Sequence, residues 1–422
     1  MRSLNFSKES IACQWQYLKR NLKELGVLGQ LDDFESKAHR AVQRVIQESV
    51  YLDFNMQIGA ERYERSNLRQ DRRKGKYSRY FTTTFGTSEI KIPRLRSNKI
   101  EVKYSLFGKY QRRQKKFDNM VILSMLLGFS TRKQRRFFKE FIGDSFSHTT
   151  ASRLMKGLEE DLREFRSRPI EDKYKYLLID GLWIHLKERS ISNRPILFVL
   201  GISMDNKKEI LAFKLAKGES ELEITGLLND LYRRGLEGKN LKVIASDGAR
   251  GIRAGINMVY PYARWQLCYT HKLRNVSKSI RYKVKNRREM MSQASNIYKA
   301  NSKRKAIQEF KKFCTGWQGI EPKAVRCLKR DFYDTLVYYD FSDDKNFIST
   351  TNHLERDLGE IRRRIKIQGY FKSEQSLNLW IYGIISQFRQ GQQPEKDMPD
   401  YRFAFIKEPK IREPQYESAQ LS

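Results

Sequence analysis

The chain has 422 residues, 39% hydrophobic and 12% aromatic, with a formal net charge of +34 and a pI of about 9.9. That is enough apolar chain for two or three packed domains, and it argues against wholesale disorder. The charge excess points to a polyanionic partner. A membrane surface is excluded as the site of a span, because the longest apolar runs (Pro195–Met204 and Val121–Phe129) are too short to cross a bilayer. The N-terminus is polar and lacks a signal-peptide stretch, and Cys13, Cys268, Cys314 and Cys327 are too scattered for a disulfide framework, so a reducing intracellular setting is expected.

Residues 1–58 have helical periodicity, first around Trp15, Leu18, Leu22 and Leu25, then from Asp33 to Leu52 with Ala38, Ala41, Val42, Val45 and Ile46 on one face. A helical cap or dimerisation element fits this stretch. Residues 59–116 form a basic segment. Arg62, Arg65, Arg69, Arg72, Arg73, Lys74, Lys76 and Arg79 alternate with Tyr63, Tyr77 and Tyr80, and a small hairpin is expected over Tyr80–Pro93 with its turn at Gly86. From Lys91 to Lys116, ten Lys/Arg face Glu101 alone, with Arg112 and Arg113 near the end of the run. Cations interleaved with aromatics suit phosphate contact and groove packing; a solvated basic face would not require one sign to dominate so heavily.

Residues 117–168 read as short helices broken by Gly128-Phe-Ser130 and Gly143-Asp-Ser-Phe-Ser147. Ser130 or Thr131 caps the second helix, which carries Arg132, and Ser147 or Thr149 caps the third. The arrangement resembles a helix-turn-helix, with His148, Thr149, Thr150, Ser152 and Arg153 exposed at the start of the third helix.

Residues 169–275 read as a mixed α/β sheet. Strands are expected over Tyr174–Lys187, Pro195–Met204 and Lys208–Lys217. A helix over Ser220–Gly238, a strand ending at Asp247, a helix over Ala249–Val259 and a strand over Arg264–Cys268 follow. Residues 276–345 are helical and basic, residues 346–390 hold the last helices, opening at Ile348–Arg364, and residues 391–422 form a loose tail rich in Gln, Pro and charge.

Three acids stand out: Asp180 and Asp247, each closing an apolar run and followed by Gly, and Glu355 in Thr350-Thr-Asn-His-Leu-Glu355-Arg356. Three carboxylates from separate elements suffice to hold Mg²⁺ or Mn²⁺, two ions per site, since water and substrate phosphate complete the shells. Each acid also has a plain structural reading. Asp180-Gly181 would serve as a two-residue hairpin turn, Asp247 as a helix-start residue, and Asn352 with Glu355 as a capping box. Their joint occurrence in a chain with this charge favours a common site. Cys268-Tyr-Thr-His271 lacks the two further ligands a structural zinc needs, and Cys314 and Cys327 have the wrong spacing to supply them. His271 would lie beside the acids, or form a packed pair with Cys268; His185 would be a polar face residue.

These motifs resemble the Mutator-type transposases of bacterial insertion sequences. The matching stretches are Ile179-Asp-Gly181, Ser246-Asp-Gly248 with Gly251, Trp265-Gln-Leu-Cys268-Tyr-Thr-His271-Lys-Leu-Arg-Asn275, and Thr351-Asn-His-Leu-Glu355-Arg356 with Glu360-Ile-Arg-Arg-Arg364. Glu61-Arg-Tyr-Glu-Arg65, Phe107–Arg113 and Gly128–Arg132 add to the resemblance, which runs from about Gly59 to Phe388. It implies a ribonuclease-H-like catalytic domain with Asp180, Asp247 and Glu355 as catalytic metal ligands, a helical insertion before Glu355, and Cys268 and His271 as an auxiliary pair. The expected activity is metal-dependent DNA cleavage and strand transfer at the terminal inverted repeats of an element, by a homodimer or higher assembly in the bacterial cytoplasm at the nucleoid. Arg62, Arg65, Arg72, Arg73, Lys74, Arg112, Arg113, Arg132, Arg153, Arg274, Arg356, Arg362 and Arg363 are expected to meet the DNA. The alternatives are a non-transposing nuclease of the same fold and a domesticated or inactive DNA-binding regulator. Two positions depart from the family pattern: Ala249 where His is usual after Ser-Asp-Gly, and His353 where a small residue is commoner.

Overall fold

The computed structural model describes residues 27–97, 100–143, 146–187, 191–281 and 287–390. The expected helix around Trp15–Leu25 and the tail from Gly391 lie outside the described residues. The chain divides into two compact units, one running to residue 125 and including 129–154, the other comprising 126–128 and the chain from 155 onward.

The first unit is organised by a single long helix, α1 (Val27–Ile58), longer at both ends than the periodicity suggested. Its buried line steps by four, through Val42, Ile46, Val50, Phe54 and Ile58, while Val45 is 61% exposed and Ala41 is also exposed, contrary to the expected face. This line packs on a hairpin of β1 (Arg73–Thr83) and β2 (Gly86–Leu95), through Phe81, Ile90, Ile92 and Leu95. The turn falls where expected. Thr83 pairs with Gly86, whose φ of +120° suits a residue without a side chain. β1 begins earlier than expected, inside the basic run. Amides on α1 satisfy neighbouring backbone: Gln47 donates to the Lys91 carbonyl of β2 at 2.9 Å and accepts from its N–H at 2.8 Å, which covers an otherwise open strand edge, and Gln57 accepts from Lys103 N–H, beyond the strand, at 2.9 Å.

The short helices α2 (Lys115–Leu126), α3 (Thr131–Ile142) and α4 (His148–Lys156) follow the capping pattern read from the sequence. Ser130 Oγ accepts from Lys133 N–H, Gly143 closes α3 in the left-handed region, and Ser147 Oγ accepts from Thr150 N–H at 3.1 Å. Thr150 is buried rather than exposed, because it sits in the first turn of α4 beside buried Ala151.

The second unit holds a five-stranded mixed sheet in the order β5-β4-β3-β6-β7, after helix α5 (Glu159–Ser167). β3 (Tyr174–Lys187), β4 (Ile191–Ser203) and β5 (Lys208–Leu215) are antiparallel. β6 (Val243–Ser246) and β7 (Arg264–Leu267) run parallel to β3. One face of the sheet buries Leu177, Ile179, Leu197 and Val199 against α6 (Glu221–Arg233) and α7 (Arg250–Val259). α8 (Tyr269–Ser279), α9 (Arg287–Lys299), α10 (Lys303–Trp317) and α11 (Pro322–Lys329) form a helical insertion with its own core around Ile297, Phe313 and Phe332. Buried Gln266 ties β7 to the 3₁₀ segment Tyr333–Asp340, donating to Thr335 O at 3.0 Å and accepting from Tyr338 N–H at 3.0 Å. The last helices are α12 (Asn352–Ile365) and α13 (Glu374–Gln390).

Candidate metal centre and nucleic-acid surface

The geometry of the acids follows from strand register. Ile179 pairs with Ser246 across the parallel strands β3 and β6, so Asp180 and Asp247 are the next residues along neighbouring chains. The hairpin reading of Asp180-Gly181 is overturned: β3 continues straight through both residues, paired to β4 along its length. The capping-box reading fails as well. Thr351, not Asn352, stands at the N-cap of α12, with no side-chain cap. Glu355 N–H instead donates to Thr351 O at 2.8 Å, and the Glu355 side chain turns to other partners.

Asp180 is 7% exposed, and its Oδ1 accepts from Gly181 N–H at 2.8 Å. Asp180, His271 and Glu355 each offer a ligand atom within 4.8 Å of one another, the one such group of three or more among the described residues. His271 Nε2 lies 3.3 Å from Glu355 Oε1, and Arg274, one turn further along α8, lies 3.8 Å from the same oxygen. Asp247 stands outside that group. Its Oδ1 accepts from Ala249 N–H at 3.3 Å, so it also has the helix-start contact the plain reading foresaw.

Cys268 holds the two helices that present His271 and Glu355. Its N–H donates to Ser246 O at 2.8 Å, and its buried sulfur accepts from Thr351 N–H at 3.4 Å and Thr351 Oγ1 at 3.5 Å, just ahead of α12. It sits at the N-cap of α8. Cys314 and Cys327 pack against the core of the helical insertion. His353 turns away from the acids, to Lys208 Nζ at 2.9 Å and Asn346 O at 3.1 Å, and His185 is exposed on β3.

The electrostatics of the cluster reflect concentrated negative charge with little solvent. Burial raises the Asp180 carboxyl to about 6, helped by Asp247 and Glu355 and opposed by His271 and the Gly181 N–H. Burial also raises Asp247, against Ala249 N–H and His271. For His271, burial opposes charge, but the Cys268 sulfur beside it and the Asp180 and Glu355 carboxylates prevail and lift it to about 9. Burial alone would raise the Cys268 thiol; His271, Thr270 and Thr351 bring it down to about 7. Buried Glu355 Oε1 and His271 Nδ1 have no hydrogen-bond partner. An oxygen-rich donor set whose buried Glu355 Oε1 makes ion-pair contacts but no hydrogen bond, beside a raised aspartate, fits a hard divalent cation.

Glu219 was missed from the sequence. It precedes α6, and burial raises its carboxyl, followed by the charges of Asp247 and Asp180, with the Trp183 indole donating a hydrogen bond that opposes the rise. Nothing in Gly218-Glu-Ser220 marks it, because Glu beside a Ser cap is ordinary at a helix start.

Among the residues expected to meet DNA, Arg62, Arg65, Arg72, Lys74, Arg112, Arg132, Arg153, Arg274, Arg356, Arg362 and Arg363 are exposed. Arg73 and Arg113 have internal duties instead. Arg73 donates to Asn55 Oδ1 at 3.0 Å and Ala60 O at 2.8 Å and stacks on Phe54. Arg113 pairs with Asp118 at 2.6 Å, both half-buried. Arg363 is exposed but bonded to Glu360. In the first unit a groove of about 1030 Å³ is lined by Lys74, Tyr77, Arg94, Arg96, Lys103 and Tyr104, among others. Arg94 on β2 and Arg96 just past its end are exposed on either side of buried Leu95, a signal the sequence carried. Among the described residues, no helix is long and apolar enough to cross a membrane.

The family model described as transposase, Mutator family, matches residues 17–392. The transposase for insertion sequence element IS256 in transposon Tn4001 of Staphylococcus aureus is 32% identical over 332 residues, covering 78% of this chain and 84% of that protein. The transposase for IS905 of Lactococcus lactis subsp. lactis is 26% identical over 376 residues, 88% of this chain and 94% of its own. The transposase for ISRM5 of Rhizobium meliloti is 28% identical over 337 residues, 79% and 83% respectively.

Proposed function

Because the chain belongs to the Mutator family of transposases, we propose that it binds the terminal inverted repeats of its own element and performs metal-dependent strand cleavage and strand transfer there. The observation that supports this reading is the grouping of Asp180 with His271 and with Glu355 from α12, with Asp247 following the parallel strand next to the one that carries Asp180. The strand order, with three antiparallel strands followed by two parallel to β3 and a helical insertion before the last acid, supports a ribonuclease-H-like core.

Asp180, Asp247 and Glu355 would hold Mg²⁺ or Mn²⁺. Two such ions, when bound, activate the attacking oxygen and stabilise the leaving one in phosphodiester displacement. The chain's own part is placement. Asp180 is held buried, Cys268 ties the starts of α8 and α12, and His271 and Arg274 bring positive charge to the Glu355 side, where a scissile phosphate would gain from it. The exposed arginines and the basic groove of the first unit would track the duplex backbone. Pairing two element ends calls for a dimer or higher assembly, acting in the bacterial cytoplasm at the nucleoid.

The test is strand transfer by purified protein with Mg²⁺ and a labelled duplex of the element's end, beside Asp180→Ala, Asp247→Ala and Glu355→Ala. Joined product from wild type, lost in all three variants while DNA binding persists, is expected. Binding without cutting or joining, in Mg²⁺ or Mn²⁺, would hand the protein to the regulator reading, and cutting without joining to the nuclease reading. Activity retained by Glu355→Ala alone would move the third role to Asp357 or Glu360.

A further inference from the structure

Asp247 lies outside the tight group formed by Asp180, His271 and Glu355, which leaves the second half of a two-ion site short of ligands. The turn between β5 and α6 supplies a carboxylate on that side. Its backbone is closed by reciprocal bonds: Ser220 Oγ accepts from Glu223 N–H at 3.4 Å, and Glu223 Oε1 accepts from Lys217 N–H at 3.1 Å. Glu219 sits inside this closed turn.

Two glycines next to the catalytic aspartates make room for it. A Cβ on Gly181, the residue after Asp180, would lie 3.0 Å from Glu219 Oε1. A Cβ on Gly251, four residues after Asp247, would lie 2.4 Å from Glu219 O and 2.6 Å from Glu221 N. The helix leading away from Asp247 therefore rests on the Glu219 turn, and the strand carrying Asp180 passes against its carboxylate. The Trp183 indole orients that carboxylate with a hydrogen bond, and it is close enough to feel both the Asp180 and Asp247 charges. Side chains alternate along β3, so Gly181 opens toward α6 while Asp180 points to the opposite face. Glu219 thus approaches from one face and Glu355 is grouped with Asp180 on the other. Asp247 directly follows β6, beside Asp180 on the neighbouring strand. Carboxylates gathered in a partly buried site repel one another unless a cation lies among them.

Resting on the metal-dependent reading above, we propose that Glu219 is a fourth metal-binding carboxylate of the site, sharing an ion with Asp247 on the side opposite the Asp180–His271–Glu355 group.

Mn²⁺ titrated into the full-length protein, with free ion read by electron paramagnetic resonance, tests this in wild type, Glu219→Gln and Asp180→Asn. The half-saturating Mg²⁺ concentration for end cleavage is measured in wild type and Glu219→Gln. Glutamine keeps an oxygen for the Trp183 indole, so the turn is retained and only the charge is lost; a melting curve no lower than wild type confirms it. The expected result is one fewer Mn²⁺ bound, or at least about a tenfold weaker second ion, in Glu219→Gln, with a matching rise in the Mg²⁺ requirement. Glu219→Gln behaving as wild type in both measurements, while Asp180→Asn loses Mn²⁺, would overturn the role of Glu219 and leave the site intact. Asp180→Asn binding Mn²⁺ as wild type does would overturn the metal site itself. Should Glu219→Gln melt early, Glu219→Asp serves in its place, and an unchanged Mg²⁺ requirement there counts against the proposal.

Discussion

Removing the charge of Asp180 should stabilise the metal-free protein while abolishing its chemistry. The carboxyl is 7% exposed and raised from an ordinary 3.8 to about 6, chiefly by burial. A carboxyl whose folded-state value lies above its unfolded one contributes stability that is fully present below the unfolded value and lost as pH rises through the folded value. For Asp180 that window runs from about 3.8 to about 6. Above it, the ionised group costs roughly 3 kcal/mol at about 1.4 kcal/mol per pH unit, an upper figure because His271 shares the charge. Asp180→Asn carries no such cost. Measured in EDTA at pH 8, it should melt up to about 6–12 °C above wild type, given roughly 2–4 °C per kcal/mol for a unit of this size, and the advantage should vanish near pH 4. Added Mg²⁺ should raise the wild-type midpoint and leave the variant unmoved. A variant that melts at or below wild type at pH 8, or whose advantage does not depend on pH, would refute the argument that burial strains this carboxylate.

Gly251→Ala places a methyl 2.4 Å from the Glu219 carbonyl oxygen, against backbone that cannot swing aside, and should cost about 1–3 kcal/mol despite alanine's better helix propensity, read as a lower urea midpoint. Cys268→Ala removes the acceptor for the Thr351 N–H and hydroxyl, with an expected loss of about 1–3 kcal/mol by the same measurement and slower end cleavage as Glu355 loses its anchor. Arg96→Ala in the basic groove should lower the slope of log affinity against log salt by about 1, for end DNA and unrelated duplex alike, measured by fluorescence anisotropy; Arg113→Ala should leave that slope unchanged, because Arg113 is held by Asp118.

The second unit was legible to a large extent because its strands are buried. Apolar runs located β3, β5, β6 and β7 to within about two residues, and Ser220 announced α6. The α1 stripe was only partly legible. The periodicity showed a helix, but the face it buries is chosen by the hairpin beneath it, which takes Val42 and Ile46 and leaves Val45 in solvent. Charge alone likewise could not separate Arg72 from Arg73, since which of two neighbours turns inward depends on Asn55 and Phe54 on a different element.

By itself the sequence supplied the composition of the candidate site: two aspartates each closing an apolar run, a glutamate at a helix start, a Cys-x-x-His pair, and a basic chain to meet a polyanion. It could not decide whether Asp180-Gly181 turns the chain or continues it, because that dipeptide suits both. Parallel pairing of residues 176–179 with β6, and pairing with β4 on the other side, hold β3 straight and set Asp180 beside Asp247. Nor could it show that Glu219, separated from Asp180 by a hairpin and a strand, comes to rest against Gly181. That proximity is a property of how α6 and α7 pack on the sheet, and only the tertiary structure, by bringing distant segments within contact, decides it.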